Sequence, residues 1–107
     1  MKTLKFKLYD EPMEVYFFTS RYELNNKLFI GARTVEDDDF YGDITVNLPF
    51  GYINNDNEFY ADTNNSKEII KAMLEQELIK ETAESMSSGY CIYPKMKLTR
   101  KFKEYCK

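Results

Sequence analysis

The chain has 107 residues, 43% of them hydrophobic and 31% charged, which suits one globular domain with one modest core and is too little for a second. No apolar run approaches the roughly 20 residues of a membrane span, and the absence of histidine removes the commonest general base and the usual partner of a catalytic Ser or Cys. A net charge of −3 hides an uneven distribution: residues 35–85 carry thirteen Asp/Glu against three Lys, while residues 86–107 carry six Lys/Arg against one Glu.

Residues 3–9, TLKFKLY, alternate Leu4, Phe6 and Leu8 with Lys5 and Lys7. Period two predicts a strand with one wet face. Asp10-Glu11-Pro12 marks a turn. Met13–Thr19 then reads as a second strand, with Met13, Val15 and Phe17 inward, and Tyr16 and Phe18 leaving the other face half apolar. The pair predicts an antiparallel hairpin. Asn25-Asn26 suits a left-handed turn, and Lys27–Thr34 reads as strand three, where Gly31 signals a bulge or a close backbone approach. Glu36–Phe40 is an acidic loop closed by Tyr41-Gly42. Asp43–Leu48 predicts strand four, ended by Pro49, with a loop over residues 50–58 and a short extended piece at Phe59–Ala61.

A helix follows over Ser66–Leu78. Asn65 and Glu68 have the spacing of a capping box, and Ile69, Ile70, Met73, Leu74 and Leu78 fall at helical spacing. Ile79–Ser88 is polar and without a clear period. Tyr90–Tyr93 reads as a strand broken at Pro94, with Lys95–Leu98 as its candidate extension, and Thr99 as the cap of a short helix over Arg100–Cys106. The fold class expected is α+β: an antiparallel sheet of about five strands against one main helix, with a short C-terminal helix.

Candidate sites are few. Glu36, Asp37, Asp38, Asp39 and Asp43 form an acidic surface that suits a basic partner, although a solvated hairpin loop explains the same residues; they lack the spaced oxygens and glycine of a calcium loop. Asp62-Thr63-Asn64-Asn65 is better suited to side-chain capping than to holding an anion or a cation. Lys95, Lys97, Arg100, Lys101 and Lys103 are the alternative, a nucleic-acid contact. Ser85, Ser87, Ser88 and Cys91 are the one nucleophile cluster, and no histidine activates them. Asp43 with Asp62 is the remaining candidate for carboxylate chemistry, so no enzyme is expected. Cys91 and Cys106 read as free thiols. No metal and no cofactor is expected, since two thiolates do not fill a tetrahedral site. The N-terminus, MKTLKFKLYD, has no uninterrupted apolar stretch of a secretory signal, which points to the cytoplasm.

Three stretches together, ITVNLP at 44–49, ADTNN at 61–65 and SGYCIYP at 88–94, resemble a family of small uncharacterised proteins, a domain of unknown function of about 100 residues. Past Pro94 this chain departs from the apolar continuation of that pattern with Lys95-Met96-Lys97. The resemblance implies carriage on plasmids, phage and conjugative elements of Gram-positive gut bacteria, and no catalytic residues. That setting implies a counter-defence inhibitor of the anti-CRISPR type. Its partner would be a protein, such as a CRISPR effector nuclease, engaged through the acidic loop. A nucleic-acid-binding accessory protein using the basic tail is the alternative.

Overall fold

The computed structural model describes residues 1–48 and 56–107. Pro49 lies outside them, but the strand expected to run to Leu48 already stops at Val46. Most of the loop expected over 50–58 is also outside, and its Asp56-Asn57 is a turn. The chain forms mostly antiparallel sheet with little helix. Its strands are β1 (Leu4–Leu8), β2 (Glu11–Arg21), β3 (Leu28–Thr34), β4 (Phe40–Asp43), β5 (Thr45–Val46), β6 (Glu58–Ala61), β7 (Ile79–Ser88) and β8 (Cys91–Leu98). Its helix α1 spans Lys67–Glu75, and a 3₁₀ helix spans Arg100–Tyr105.

The expected single sheet of about five strands is corrected to two sheets of four, ordered β1-β2-β3-β4 and β5-β6-β8-β7. The expected fourth strand is where they part. Its residues divide between β4 in the first sheet and β5 in the second, with Ile44 between them. Ile44 is fully buried. Its N–H donates to the Ile30 carbonyl of β3 at 2.9 Å, and its own carbonyl accepts from Asp62, just past β6, at 2.8 Å. The next residue repeats the link, as the Ile30 N–H also reaches the Thr45 hydroxyl oxygen at 3.3 Å.

Residues of the two sheets, the helix and the 3₁₀ segment share one core. Val15, Phe17 and Ile30 meet Phe59, Met96, Ile69, Met73 and Phe102 there. The first hairpin turns at Tyr9-Asp10, both with positive φ, the geometry that matches the twist of two-residue hairpins. Strand β2 therefore begins at Glu11, before the expected Met13. Asn26 takes a left-handed φ of 57°, as the Asn pair predicted. Gly31 is a close approach: a Cβ there would overlap the Phe18 ring that lies across it.

The helix is shorter than expected and runs along β1 and β7 rather than under a whole sheet. The capping box does not form: Ser66, not Asn65, is the N-cap, and its hydroxyl donates instead to the Asp43 carbonyl at 2.7 Å. Its C-terminus is a Schellman closure. Glu77 adopts a φ of 60°, and Leu78 and Glu77 return their N–H groups to Met73 and Leu74. Leu78 is thus buried just after the helix rather than within it.

The polar Ile79–Ser88 segment is an edge strand, and β8 runs on through the expected extension Lys95–Leu98, so Pro94 lies within it rather than breaking it. Proline is tolerated there because Ser85↔Pro94 is the first pair past the β7–β8 register shift, and the last β6–β8 pair is Tyr60↔Lys95. The C-terminal segment is 3₁₀, not α. It covers the β2 backbone beyond the end of β1: Lys107 N–H donates to the Phe17 carbonyl at 3.0 Å, and the Phe102 and Phe17 rings are 5.4 Å apart.

Truncating the residue that joins both sheets is expected to be costly. Ile44→Ala should lose about 2–5 kcal/mol in urea unfolding, the range for a buried aliphatic deletion. Ile92→Ala, at an exposed position of β8, should change stability by no more than about 0.5 kcal/mol.

Candidate functional site

The acidic residues singled out from the sequence divide into two groups. Glu36, Asp37, Asp38 and Asp39 form the exposed β3–β4 loop. The loop is pinned by its own backbone: Thr34 N–H donates to the Asp39 carbonyl at 2.8 Å, and Asp38 N–H to the Thr34 carbonyl at 2.9 Å. Arg33 donates to the Asp38 carbonyl at 2.9 Å, and Tyr16 donates its hydroxyl proton to the Asp38 carboxylate. Asp38 itself sits at a φ of 55°, a conformation that Asp tolerates better than most residues. Among the described residues, no carboxylate of this loop is in an ion pair.

Asp43 stands apart from that loop, at the end of β4. It faces a groove of about 480 Å³ between the β1–β2 turn, β4 and the start of α1, together with Asp62 and Glu68. Burial, and then the nearby Asp62, push the Asp43 carboxyl above its ordinary range. Asp62 is largely occupied within its own loop: its carboxylate accepts the Asn65 N–H at 3.2 Å and the Asn65 side-chain amide at 3.2 Å. This is the capping arrangement suggested by the DTNN stretch. The pair therefore offers one available carboxylate rather than the two that paired acid–base chemistry uses. Among the described residues, no group of three or more His, Cys, Asp or Glu is placed to hold a metal ion.

The basic residues differ in exposure. Lys95 is a correction to the sequence reading: it is only 2% exposed, its ammonium pairs with Glu84 at 3.1 Å, and it lies 5.9 Å from the Tyr60 ring centre. A buried, paired ammonium makes no phosphate contact. Lys97 is half-buried on β8, whereas Arg100 and Lys103 are exposed and Lys101 partly so, all on the 3₁₀ helix. Glu104, on that helix, pairs with Lys2 at 2.9 Å, and Lys107 lies 5.4 Å from the Tyr16 ring centre.

The nucleophile cluster lies along the outer part of the β7–β8 hairpin. Its turn is Gly89-Tyr90, with Gly89 at a φ of 62° and Tyr90 fully exposed. Cys91 and Cys106 are free and half-buried. Burial pushes the Cys106 thiol up to about 11, which leaves it protonated and inert near neutral pH.

Sequence reasoning missed the groove itself. Its aromatic lining, Tyr9, Phe40 and Tyr41, comes from residues that look like turn and strand ends in a linear reading. The only available signal was that Asp43 and Asp62 flank elements that end near each other.

Residues 17–107 match a domain of unknown function, DUF4313, and the chain belongs to that family. No curated protein and no solved structure matches it. No helix among the described residues is long and apolar enough to cross a membrane.

The raised Asp43 titration has a testable sign. Folding favours the protonated carboxyl, so the stabilisation is complete below the ordinary Asp range and is lost as pH rises through the raised value. Asp43→Asn should therefore raise the melting temperature at about pH 7, with the gain fading toward about pH 3, where Asp itself is protonated. A gain that is the same at every pH would contradict the burial account.

Proposed function

We propose that this DUF4313 protein is a non-enzymatic inhibitor carried by a mobile genetic element of Gram-positive gut bacteria. On this reading it is a counter-defence protein of the anti-CRISPR type, working in the host cytoplasm. Its β3–β4 loop is the surface offered to the basic, nucleic-acid-binding groove of a defence protein such as a CRISPR effector nuclease. The observation that carries the reading is the presentation of that loop. Glu36, Asp37 and Asp39 are exposed on a turn whose backbone is fixed by Thr34 and Arg33. A loop ordered before binding loses less entropy on association than a floppy acidic tail, and its field steers encounter with a basic surface.

The alternative is a nucleic-acid-binding accessory protein acting through Lys97, Arg100, Lys101 and Lys103. It has less support, because Lys95 is buried and the acidic loop would oppose a polyanion. It predicts a gel shift at low salt that is lost with Lys101 and Lys103.

The test removes charge and keeps the fold. Glu36, Asp37 and Asp39 are replaced by Ser, while Asp38 is retained because it accepts the Tyr16 hydroxyl. The variant should keep its melting temperature, and its potency against the nuclease recovered with the wild-type protein from host lysate should fall by about tenfold or more at low salt. Raising the salt should weaken the wild type much more than the variant. Unchanged potency would sink the acidic-loop mechanism, and recovery of nucleic acid alone would favour the alternative.

A further inference from the structure

We infer that the groove between the β1–β2 turn, β4 and the start of α1 seats an arginine side chain of a basic protein partner. The inference rests on the reading of the protein as a binder of a basic partner and adds a second contact to it. Three features support it together.

The first is charge. The groove is lined by Asp43, Asp62 and Glu68 and by no lysine or arginine. Other grooves differ. One of about 250 Å³, which shares Glu68, sets it and Glu75 against Lys5, Lys7 and Lys71. One of about 760 Å³ sets Lys5 and Lys7 against Glu14, Glu36 and Asp37, and one of about 560 Å³ sets Lys80, Arg100 and Lys101 against Glu77 and Glu81. Mixed grooves come within one charge of neutral, whereas this one carries only carboxylates, a negative charge that an incoming cation would relieve. The α1 N-terminus at its edge adds only about half a positive charge, less than the carboxylates remove. Asp43 is raised mainly by burial, and the charge of Asp62 adds to that.

The second is lining. Tyr9 is 84% exposed, Phe40 is 52% exposed, and Tyr41 completes the aromatic wall. A planar guanidinium stacks on such rings and hydrogen-bonds carboxylates in its own plane, which an ammonium does less well. The first sheet already contains one such contact, Arg33 lying 5.5 Å from the Phe18 ring centre.

The third is position and size. Phe40 follows Asp39 directly, so the groove adjoins the acidic loop, and a basic segment crossing the loop reaches it without a gap. A volume of about 480 Å³ falls within the roughly 300–1,000 Å³ typical of ligand sites, enough for a side chain with its flanking backbone.

The experiment needs no partner. An acetylated, amidated Gly-Arg-Gly peptide is titrated into the full chain and followed by amide shifts in ¹⁵N NMR, beside the same peptide with citrulline in place of arginine. Saturable shifts at residues 40–43 and 65–68, with binding at least about fivefold tighter for arginine than for its uncharged isostere, are expected. Glu68→Gln and Phe40→Ser, both away from the buried core, should each weaken binding about threefold or more, with melting curves confirming that they fold. Equal binding of the citrulline peptide would overturn the inference, and so would shifts confined to residues 36–39. The Glu36, Asp37 and Asp39 to Ser variant should keep the groove shifts; loss of them there would place the arginine on the loop and overturn the assignment. Because the titration omits the partner, its result is read separately from the potency of the loop variant.

Discussion

Ile44 is bound to both sheets at once. Its N–H reaches back to Ile30 in the first sheet, and its carbonyl takes the N–H of Asp62 at the end of β6 in the second. A backbone residue with no side-chain polarity and no exposure needs both partners, because buried peptide groups left unpaired cost about as much as a lost hydrogen bond. Satisfying them holds β4 and β5 at a fixed angle and brings two otherwise separate antiparallel sheets onto one core. Thr45 reinforces the joint: its hydroxyl meets the Ile30 N–H and, at 2.9 Å, the Tyr22 hydroxyl.

The acidic groove is a by-product of that joint. Once Ile44 fixes Asp62 beside the end of β4, Asp43 and Asp62 face the same groove. Ser66 then anchors the start of α1 to the Asp43 carbonyl, which sets Glu68 against the same space. Like charges are gathered here by backbone constraints; the Asp43 carboxyl is raised first by burial and then by Asp62. The β3–β4 loop is a different kind of acidic feature: it is exposed, and turn geometry rather than burial holds it. The two lie side by side because β4 is only four residues long.

Much of the fold was legible where burial is one-sided. β1 alternates because one face of it meets the core. β2 and β3 read as strands although each buries three residues in succession, Val15–Phe17 and Ile30–Ala32. The α1 stripe of Ile69, Ile70 and Met73 repeats at helical spacing because one side of the helix is buried. The acidic loop was legible as a loop because its residues make no core. What escaped the sequence shares a cause: its partners lie far away in the chain. β7 has no hydrophobic period because past Ile79 it leaves the core as a polar edge. The division of strand four depends on Ile30 and Asp62, not on residues 43–48. The helix stops at Glu75 because Glu77 takes a left-handed φ without the glycine or asparagine that announces such a turn. Lys95 looked like a surface charge because its partner, Glu84, is supplied by the hairpin register. The groove draws on the β1–β2 turn, β4 and the first turn of α1, so no single stretch could reveal it.

If Ile44 makes the two sheets one unit, they open together. Native-state hydrogen exchange measures this directly. The amides of Ile44 and Asp62, together with those pairing β6 with β8, should exchange with the same free energy and the same denaturant dependence as those pairing β2 with β3, all matching global unfolding. Exchange of the second sheet at a distinctly lower free energy, while the first stays protected, would show that the sheets open independently and that Ile44 does not hold them together.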